Sequence, residues 1–375
     1  MLTRTVTLSF LLCTVCGKNL TFPAGFKFGA ATSAYQIEGG WNSDGKGVNV
    51  WDVFVHHHPE MTADHSSGDV ACDSYNLWEE DVRIATELGL DFYRFSISWS
   101  RILPTGLSNR VNEAGVKYYN NLIDSLLDRG IEPIITLFDF DLPKKIQDLG
   151  GWTNPLIADW FANYARIVFT LYADRVRTWI TINEPATICD FAYNTGTVPP
   201  RVHDPYVAPY LCNKHVLVAH AKAWRIYDEQ FKPLYGGRVS IANNLMWMEA
   251  KTKDQESLAE LTRQNMVGRY SHPIYSATGG WPPGLEALLA ENSKKEGYKK
   301  SRLPAFTEQE LALVKGSYDF YAFNYYSSRL VRQTRPGESS GVWFLDGAPE
   351  LKVKLDVDRN WPMGAFKDLP VVRVH

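Results

Sequence analysis

The chain has no excess of charge of either sign. Its 375 residues include 39 Lys and Arg against 42 Asp and Glu, a formal net charge of −3, and like charges do not form long runs. Proteins that bind nucleic acid or an anionic membrane surface concentrate basic residues on one face. The sequence therefore indicates no nucleic-acid partner, and it favours a small neutral ligand.

Apolar runs are lacking beyond the first residues. The apolar run from Val6 to Cys16 follows Arg4 and ends in small residues, which is the pattern of a secretory signal that is too short to span a bilayer. We predict that residues 1–17 are a signal peptide, that the protein is secreted to the extracellular space, and that no membrane span follows. The sequon at Asn19 then predicts a glycoprotein.

Cysteine is scarce, and its spacing does not suggest a metal site. Removal of residues 1–17 leaves Cys72, Cys189 and Cys212, which allow one disulfide and one spare thiol, with the pair left open. The run His56-His57-His58 is also a weak candidate, because three consecutive side chains cannot point in one direction and no second ligand cluster follows. We expect neither a metal nor another cofactor.

Aromatic residues, in contrast, are abundant. The chain has 12 Trp, 19 Tyr and 18 Phe. Rings with polar edges suit a pocket that stacks on the apolar face of a sugar, although large cores also use aromatic residues.

Amphipathic helices alternate with single strands along the chain. Apolar spacing predicts helices over 73–88, 114–129, 155–172 and 213–231. It predicts strands from residue 28 and over 92–99, 133–138, 176–182, 238–242 and 318–326. Several of these strands end in Gln, Asn, Asp or Glu, which favours parallel strands with one functional rim. We predict an α/β fold of the TIM (β/α)8 barrel type, with about six of the eight strands present.

One strand ends in a carboxylate. Residues 178–185 alternate β-branched and aromatic side chains and then finish in Asn183-Glu184-Pro185, the pattern of a buried strand that delivers Glu184 to a site. By itself, the motif also fits an ordinary strand whose polar end faces solvent. Arg94 lies among apolar neighbours in another strand and needs a carboxylate or an equivalent partner, for which Glu184 is a candidate.

Five motifs together carry a family resemblance. They are residues 28–39, 41–51, 94–104, 181–185 and 324–326. In this order, and over nearly the whole mature chain, they resemble the family 1 glycoside hydrolases, the group of β-glucosidase, lactase-phlorizin hydrolase and myrosinase. The resemblance implies one barrel domain over 18–375 that lacks its C-terminal part. It also implies retaining hydrolysis of O-glycosidic bonds in small β-glycosides or oligosaccharides, in carbohydrate metabolism.

The same resemblance implies a role for individual residues. Glu184 matches the general acid/base, Tyr326 the residue that orients the nucleophile, and Arg94 an arginine beneath the carboxylates that sets their protonation. The matched substrate-binding positions are Gln36, Asp139, Asn183, Asn324 and Tyr326.

Two features depart from the family pattern. Family members usually carry His-Trp-Asp-Leu-Pro after the third strand, whereas this chain has Asp139 in place of the sugar-binding histidine. A carboxylate there can hold a sugar hydroxyl, but it adds a third negative charge near the catalytic pair; the alternative is a decayed site.

The second departure concerns the nucleophile. The family's Thr-Glu-Asn-Gly motif does not occur in the sequence, and Glu291-Asn292-Ser293 precedes Asn324 and follows a helical stretch, so it is no substitute. We expect a truncated gene model or splice form that does not complete the reaction, with exposed strand edges and a tendency to aggregate. The alternative is a non-catalytic secreted glycan-binding protein derived from the same fold.

Overall fold

The computed structural model describes residues 21–341, 346–358 and 360–361. The predicted signal peptide and the sequon residue Asn19 lie outside these residues. The described strands are β1 Gly29–Ala31, β2 Phe92–Ser96, β3 Glu132–Phe138, β4 Thr178–Asn183, β5 Arg238–Ala250, β6 Ala322–Gln333, β7 Gly347–Ala348 and β8 Val353–Asp356.

The strands form one open sheet. Strands β1 to β6 lie side by side in chain order, each parallel to the next. Strand β8 pairs antiparallel with the far end of β6, and β7 pairs antiparallel with β8. Within the described ranges, no strand pairing joins β1 back to the other edge. The prediction of six parallel barrel strands is therefore confirmed, and the two short antiparallel strands are an addition beside β6.

Helices connect the parallel strands, as a parallel sheet requires. The α-helices are α1 Ala34–Ile37, α2 Val50–His57, α3 Ser74–Glu87, α4 Trp99–Ile102, α5 Glu113–Asp128, α6 Lys144–Asp148, α7 Ile157–Tyr172, α8 Pro185–Thr187, α9 Ala208–Ile226, α10 Lys232–Tyr235, α11 Glu256–Arg263, α12 Arg269–Tyr275, α13 Pro283–Lys295 and α14 Glu308–Val314. Three π-helical segments are Ile188–Thr195, Tyr227–Phe231 and Gln264–Gly268, and the 3₁₀ segments are Ser43–Gly45, Pro59–Met61, Gly151–Thr153, Lys253–Gln255 and Pro349–Leu351. The four predicted helices correspond to α3, α5, α7 and α9.

Three predicted strand boundaries were wrong. Strand β2 ends at Ser96, where α4 follows, and β5 continues to Ala250. Strand β6 begins at Ala322 instead of residue 318, since Asp319 lies before the strand and its side chain accepts the backbone N–H of Val239. It then continues past residue 326 because its second half pairs with both β5 and β8.

Burial differs sharply between the centre and the edges of the sheet. All six residues of β4 are buried, since strands flank it on both sides and helices cover it. In contrast, Gly29 and Ala31 of β1 are exposed, and Phe323 and Tyr326 of β6 are 51% and 62% exposed. Large apolar side chains therefore meet solvent along β6, and the backbone of β1 is exposed at the other edge.

The structure decides the cysteine pairing and the surroundings of the candidate metal ligands. Cys189 and Cys212 form a disulfide, and Cys72 is exposed with a free thiol. His56 contacts the carboxylate of Asp69 at 2.8 Å. In the part of the chain that the structure describes, no group of three or more His, Cys, Asp and Glu side chains is placed to hold a metal ion. No helix there is both long and apolar enough to cross a membrane.

Candidate active site

Glu184 lies immediately after β4, at the carboxyl end of the sheet. Its backbone is left-handed, with φ 45° and ψ 63°, and its N–H donates to the carbonyl of Ala242 on β5 at 2.8 Å. A non-glycine residue in this region costs about 1–2 kcal/mol, so the neighbouring strand and the proline that begins α8 must hold the turn. The side chain is only 7% exposed.

Both oxygens of the Glu184 carboxylate accept hydrogen bonds. Asn324 of β6 donates to Oε1 at 2.6 Å, while Thr187 and Asn244 donate to Oε2 at 2.9 and 3.2 Å. The donors come from β6, α8 and β5, and so three elements fix one carboxylate. This geometry excludes the alternative that Asn183 and Glu184 merely face solvent at the end of an ordinary strand.

Arg94 interacts with this carboxylate through charge and donates hydrogen bonds to amides and a hydroxyl. Its Nη2 donates to Asn183 Oδ1 at 2.7 Å and its Nε to Thr136 Oγ1 at 2.9 Å, with a longer bond of 3.4 Å from Nη1 to Asn324 Oδ1. Burial lowers the pKa of Arg94, and the charges of Asp139 and Glu184 oppose that shift. Glu184 therefore acts on Arg94 through charge. Asn183 and Asn324 are therefore the partners that Arg94 has in place of a directly bonded carboxylate.

Asp139 joins the same network from the end of β3. Its Oδ1 accepts from Asn183 Nδ2 at 3.1 Å, and the side chain is 9% exposed. Burial raises the pKa of Asp139 to about 7, and the charge of Glu184 adds to that rise, although Arg94 and Asn183 act in the opposite direction. Near neutral pH this carboxyl is therefore partly protonated, which reduces the expected third negative charge.

Gln36 and Tyr326 stand at the margins of the network. Gln36 belongs to α1 and accepts a hydrogen bond from Ser33 Oγ at 2.8 Å. Tyr326 is largely exposed on β6, where burial of its hydroxyl and then the charge of Glu184 raise its pKa. The structure thus bonds Arg94, Asn183 and Glu184 into one network, and places the tyrosine within electrostatic range.

Two cavities adjoin the network. The first has a volume of about 380 Å³ and is lined by Gln36, Asp139, Tyr35, Trp51 and Phe140, among others. The second, of about 260 Å³, shares Gln36, Trp51 and Phe140, and most of its remaining lining is apolar. The first volume falls in the range of about 300–1,000 Å³ that is usual for small-molecule sites.

Sequence reasoning missed two of the residues that hold Glu184, Asn244 and Thr187. Both donate to Glu184 Oε2. A signal for Asn244 was present, since Asn243-Asn244 follows directly after the predicted fifth strand. Strand β5 continues through both asparagines to Ala250, so the strand does not end at the point where its residues reach the site.

A buried, anchored carboxylate at the carboxyl rim of parallel strands, beside an aromatic cavity, defines the class as an α/β-barrel enzyme. The family model for glycosyl hydrolase family 1 matches residues 18–365. The chain belongs to glycosyl hydrolase family 1, and it is an O-glycosyl hydrolase of the β-glucosidase type by family.

Relatives and solved structures agree with this assignment. The chain is 47% identical over 313 residues to Myrosinase 1 of Brevicoryne brassicae, covering 83% of this chain and 67% of that protein. It is 41% identical over 324 residues to the cytosolic beta-glucosidase of Homo sapiens, covering 85% and 69%.

Among solved structures, aphid myrosinase superposes with a TM-score of 0.86 at 43% identity, covering 92% of this chain and 73% of that one. The rice Os3BGlu6 beta-glucosidase superposes with a TM-score of 0.83 at 34% identity, covering 94% and 74%. The (β/α)8 barrel class is therefore confirmed, in a form that is open among the described residues.

Proposed function

We propose that this chain carries the sugar-binding and acid/base part of a retaining β-glucosidase site, with Glu184 as the general acid/base. The observation that carries the proposal is the fixed, buried carboxylate at the rim, held by Asn324, Asn244 and Thr187. A proton donor must keep one orientation relative to the glycosidic oxygen, and three hydrogen bonds supply that orientation.

The substrate class follows from the groups around Glu184. Asparagine and glutamine side chains both donate and accept, which matches sugar hydroxyls that do the same. Gln36, Asn183 and Asn324 provide such groups, and Trp51 and Tyr35 provide flat faces in the adjoining cavity. The proposed substrate is a small β-glycoside or oligosaccharide, with O-glycosidic bond cleavage as the reaction.

Retaining hydrolysis also requires a second carboxyl, the nucleophile. In a retaining enzyme it lies about 5 Å across the bond from the acid and attacks the anomeric carbon. The family's Thr-Glu-Asn-Gly motif is not in the 375 residues. We propose that these residues alone have negligible retaining activity.

The experiment is a hydrolysis assay on the purified chain with an aryl β-glucoside, with Glu184→Gln as the comparison. We expect phenol release at the level of the variant, close to the uncatalysed rate. Turnover far above the level of the variant would overturn the proposal that the second carboxyl is lacking.

A second candidate function is non-catalytic glycan binding. The intact network of Arg94, Asn183 and Asn324 favours it, because a sugar site retains its hydroxyl partners when the chemistry is lost. Glycan binding that survives Glu184→Gln in a folded chain, without any chemical competence of Glu184, supports this candidate over the enzyme.

The cellular location is also a proposal. The signal-like residues 1–17 and the sequon at Asn19 support secretion and glycosylation. Expression in a secretory cell line, with mass determination of the secreted chain before and after deglycosylation, tests both together.

A further inference from the structure

Asp139 has an oxygen that the protein does not use. Asn183 Nδ2 donates to Oδ1, and among the described residues no donor reaches Oδ2. This oxygen is not sealed in the interior either, since it is absent from the buried atoms that lack a partner. The side chain is nonetheless 91% buried, counting from its 9% exposure, and it lines the cavity of about 380 Å³. Oδ2 is therefore an unpartnered acceptor at the cavity wall.

Charges of both signs act on Asp139. Glu184 acts on it as a like charge, whereas burial raises the pKa of Asp141 well above its usual range and disfavours the charged form of that neighbour; Tyr326 is a neutral phenol in range. Arg94 is the cation that acts on Asp139, but its guanidinium is already bonded to Asn183 and other groups of the rim. A further positive charge placed at Oδ2 would meet an acceptor that no donor of the described residues uses, with Glu184 as a second acid in range and Arg94 as an opposing charge.

The aromatic lining of the cavity also suits a sugar that carries positive charge. The rings of Tyr35 and Trp51 stack with centroids 5.4 Å apart and an interplanar angle of 24°. Both line the same cavity as Asp139 and Gln36. Aromatic faces accept the apolar face of a sugar ring and attract an adjacent ammonium group.

We propose that this cavity takes a glycoside whose sugar ring carries a protonated amine, with the ammonium group donating to Asp139 Oδ2. The inference rests on the proposed function, because it names the sugar class for the same site. A charge-assisted hydrogen bond in a site shielded from water is stronger than a bond from a neutral hydroxyl. The amine thus distinguishes this ligand from an ordinary glucoside.

The protonation of Asp139 adds a measurable consequence. Burial raises the pKa of Asp139 to about 7. Below that pH the free site holds a proton, and a bound ammonium group stabilises the ionised carboxylate. Binding of an amino sugar therefore releases a proton, whereas binding of a neutral sugar does not.

The experiment measures binding by calorimetry slightly below neutral pH, where the amine is protonated. The ligands are methyl β-glucosides with an amine at C2 or at C3, and methyl β-glucoside itself. The variants are Asp139→Asn, which removes the charge at nearly constant size, and Asp128→Asn, which removes a charge from an exposed position on α5.

We expect at least one amino glycoside to bind about tenfold tighter than the neutral glucoside. Asp139→Asn should abolish this preference and Asp128→Asn should keep it. Equal binding of the neutral and amino ligands, or a preference that survives Asp139→Asn, would overturn the inference while the sugar site itself stands.

A second readout needs no variant. Titrations of the unaltered chain in two buffers of different ionisation enthalpy should show net proton release with the tighter amino glycoside and none with methyl β-glucoside. Tighter binding without proton release contradicts the role of Asp139. If none of the three ligands binds, the proposed sugar site fails and this inference fails with it.

Discussion

At the scale of single residues, Asp139 is a carboxyl in a position that disfavours its charge. It is nearly buried at the end of β3, it receives one hydrogen bond from Asn183, and Glu184 opposes its ionisation. Its ordinary pKa is 3.8, and in the folded chain the pKa rises to about 7. The folded protein therefore retains a proton that the unfolded chain releases between these two pH values.

The sign of the effect on stability follows from that proton. Above about pH 4 the unfolded chain releases the proton and its free energy falls relative to that of the native chain, so the contribution of Asp139 to stability declines as the pH rises towards 7. We expect the free energy of unfolding to decline by about 4 kcal/mol more in the original chain than in Asp139→Asn across this window.

Urea unfolding at a series of pH values measures this difference, with Asp128→Asn as the matched control. Parallel pH profiles for the original chain and Asp139→Asn would show that Asp139 ionises normally in the folded protein.

Much of the candidate site was predictable from single residues. Asn183 and Glu184 stand at the end of an unmistakable strand, and Asn324 matches a motif of the family. Asn244 was missed because its donation to Glu184 depends on how far β5 lies from β4, which is a tertiary relation. Thr187 was missed since the short helix α8 alone brings its hydroxyl back to the carboxylate.

At the scale of elements, one disulfide joins the segment after Glu184 to a long helix. Cys189 lies in the π-helical segment Ile188–Thr195 and Cys212 lies in α9, and both are fully buried. The sequence left the pairing open because three cysteines allow three pairs. The fold decides it by packing these two elements together and leaving Cys72 at the surface.

Loss of this disulfide should destabilise the chain. The two cysteines are 23 residues apart, and closing a loop of that length reduces the free energy of the folded state relative to the unfolded chain by about 3 kcal/mol. We expect the double change Cys189→Ala with Cys212→Ala to lower the urea midpoint, and Cys72→Ala to leave it unchanged.

Peptide mapping without reduction checks the pairing directly. A thiol reagent applied to the native chain that lacks residues 1–17 should label Cys72 and neither Cys189 nor Cys212. Label on Cys189 or Cys212 would contradict the assignment.

Strand β6 shows why boundaries were harder to predict than the elements themselves. The sequence after Tyr326 reads Ser327-Ser328-Arg329, which resembles a loop. These residues are buried in the fold, because β5 pairs with Ser328 and Arg329, β8 pairs with β6 just beyond them, and α11 packs against β5 and β6. Partners distant in sequence thus make a strand from residues with little strand preference of their own.

At the scale of the whole molecule, the open sheet leaves two apolar edges. Phe22, Phe26 and Phe28 form an aromatic cluster next to β1 and are at least half exposed. Phe323 and Tyr326 are exposed on β6. Unpaired strand edges with exposed apolar side chains promote association between chains.

We therefore expect the purified chain to associate as its concentration rises. A charge on the edge opposes strand pairing, so Phe323→Lys should shift the apparent mass towards the monomer. Leu234→Lys introduces the same charge at a residue that is 71% exposed but lies in α10, away from both edges. Light scattering at several concentrations compares the three chains, and an equal effect of the two substitutions would argue against association through the edge.

The central claim is that Glu184 is a working general acid whose nucleophilic partner is not in these 375 residues. A small external nucleophile tests it, because azide can attack the anomeric carbon while Glu184 donates a proton to the departing oxygen. Phenyl β-glucoside is a suitable substrate, since its leaving group needs that proton.

The measurement is phenol release by the purified chain with and without azide, with the sugar product identified by NMR. The account predicts negligible release without azide, formation of α-glucosyl azide with it, and loss of that product in Glu184→Gln but not in Glu229→Gln, an exposed position. Rapid release without azide, with a β-configured product, or equal rescue in Glu184→Gln, would contradict it.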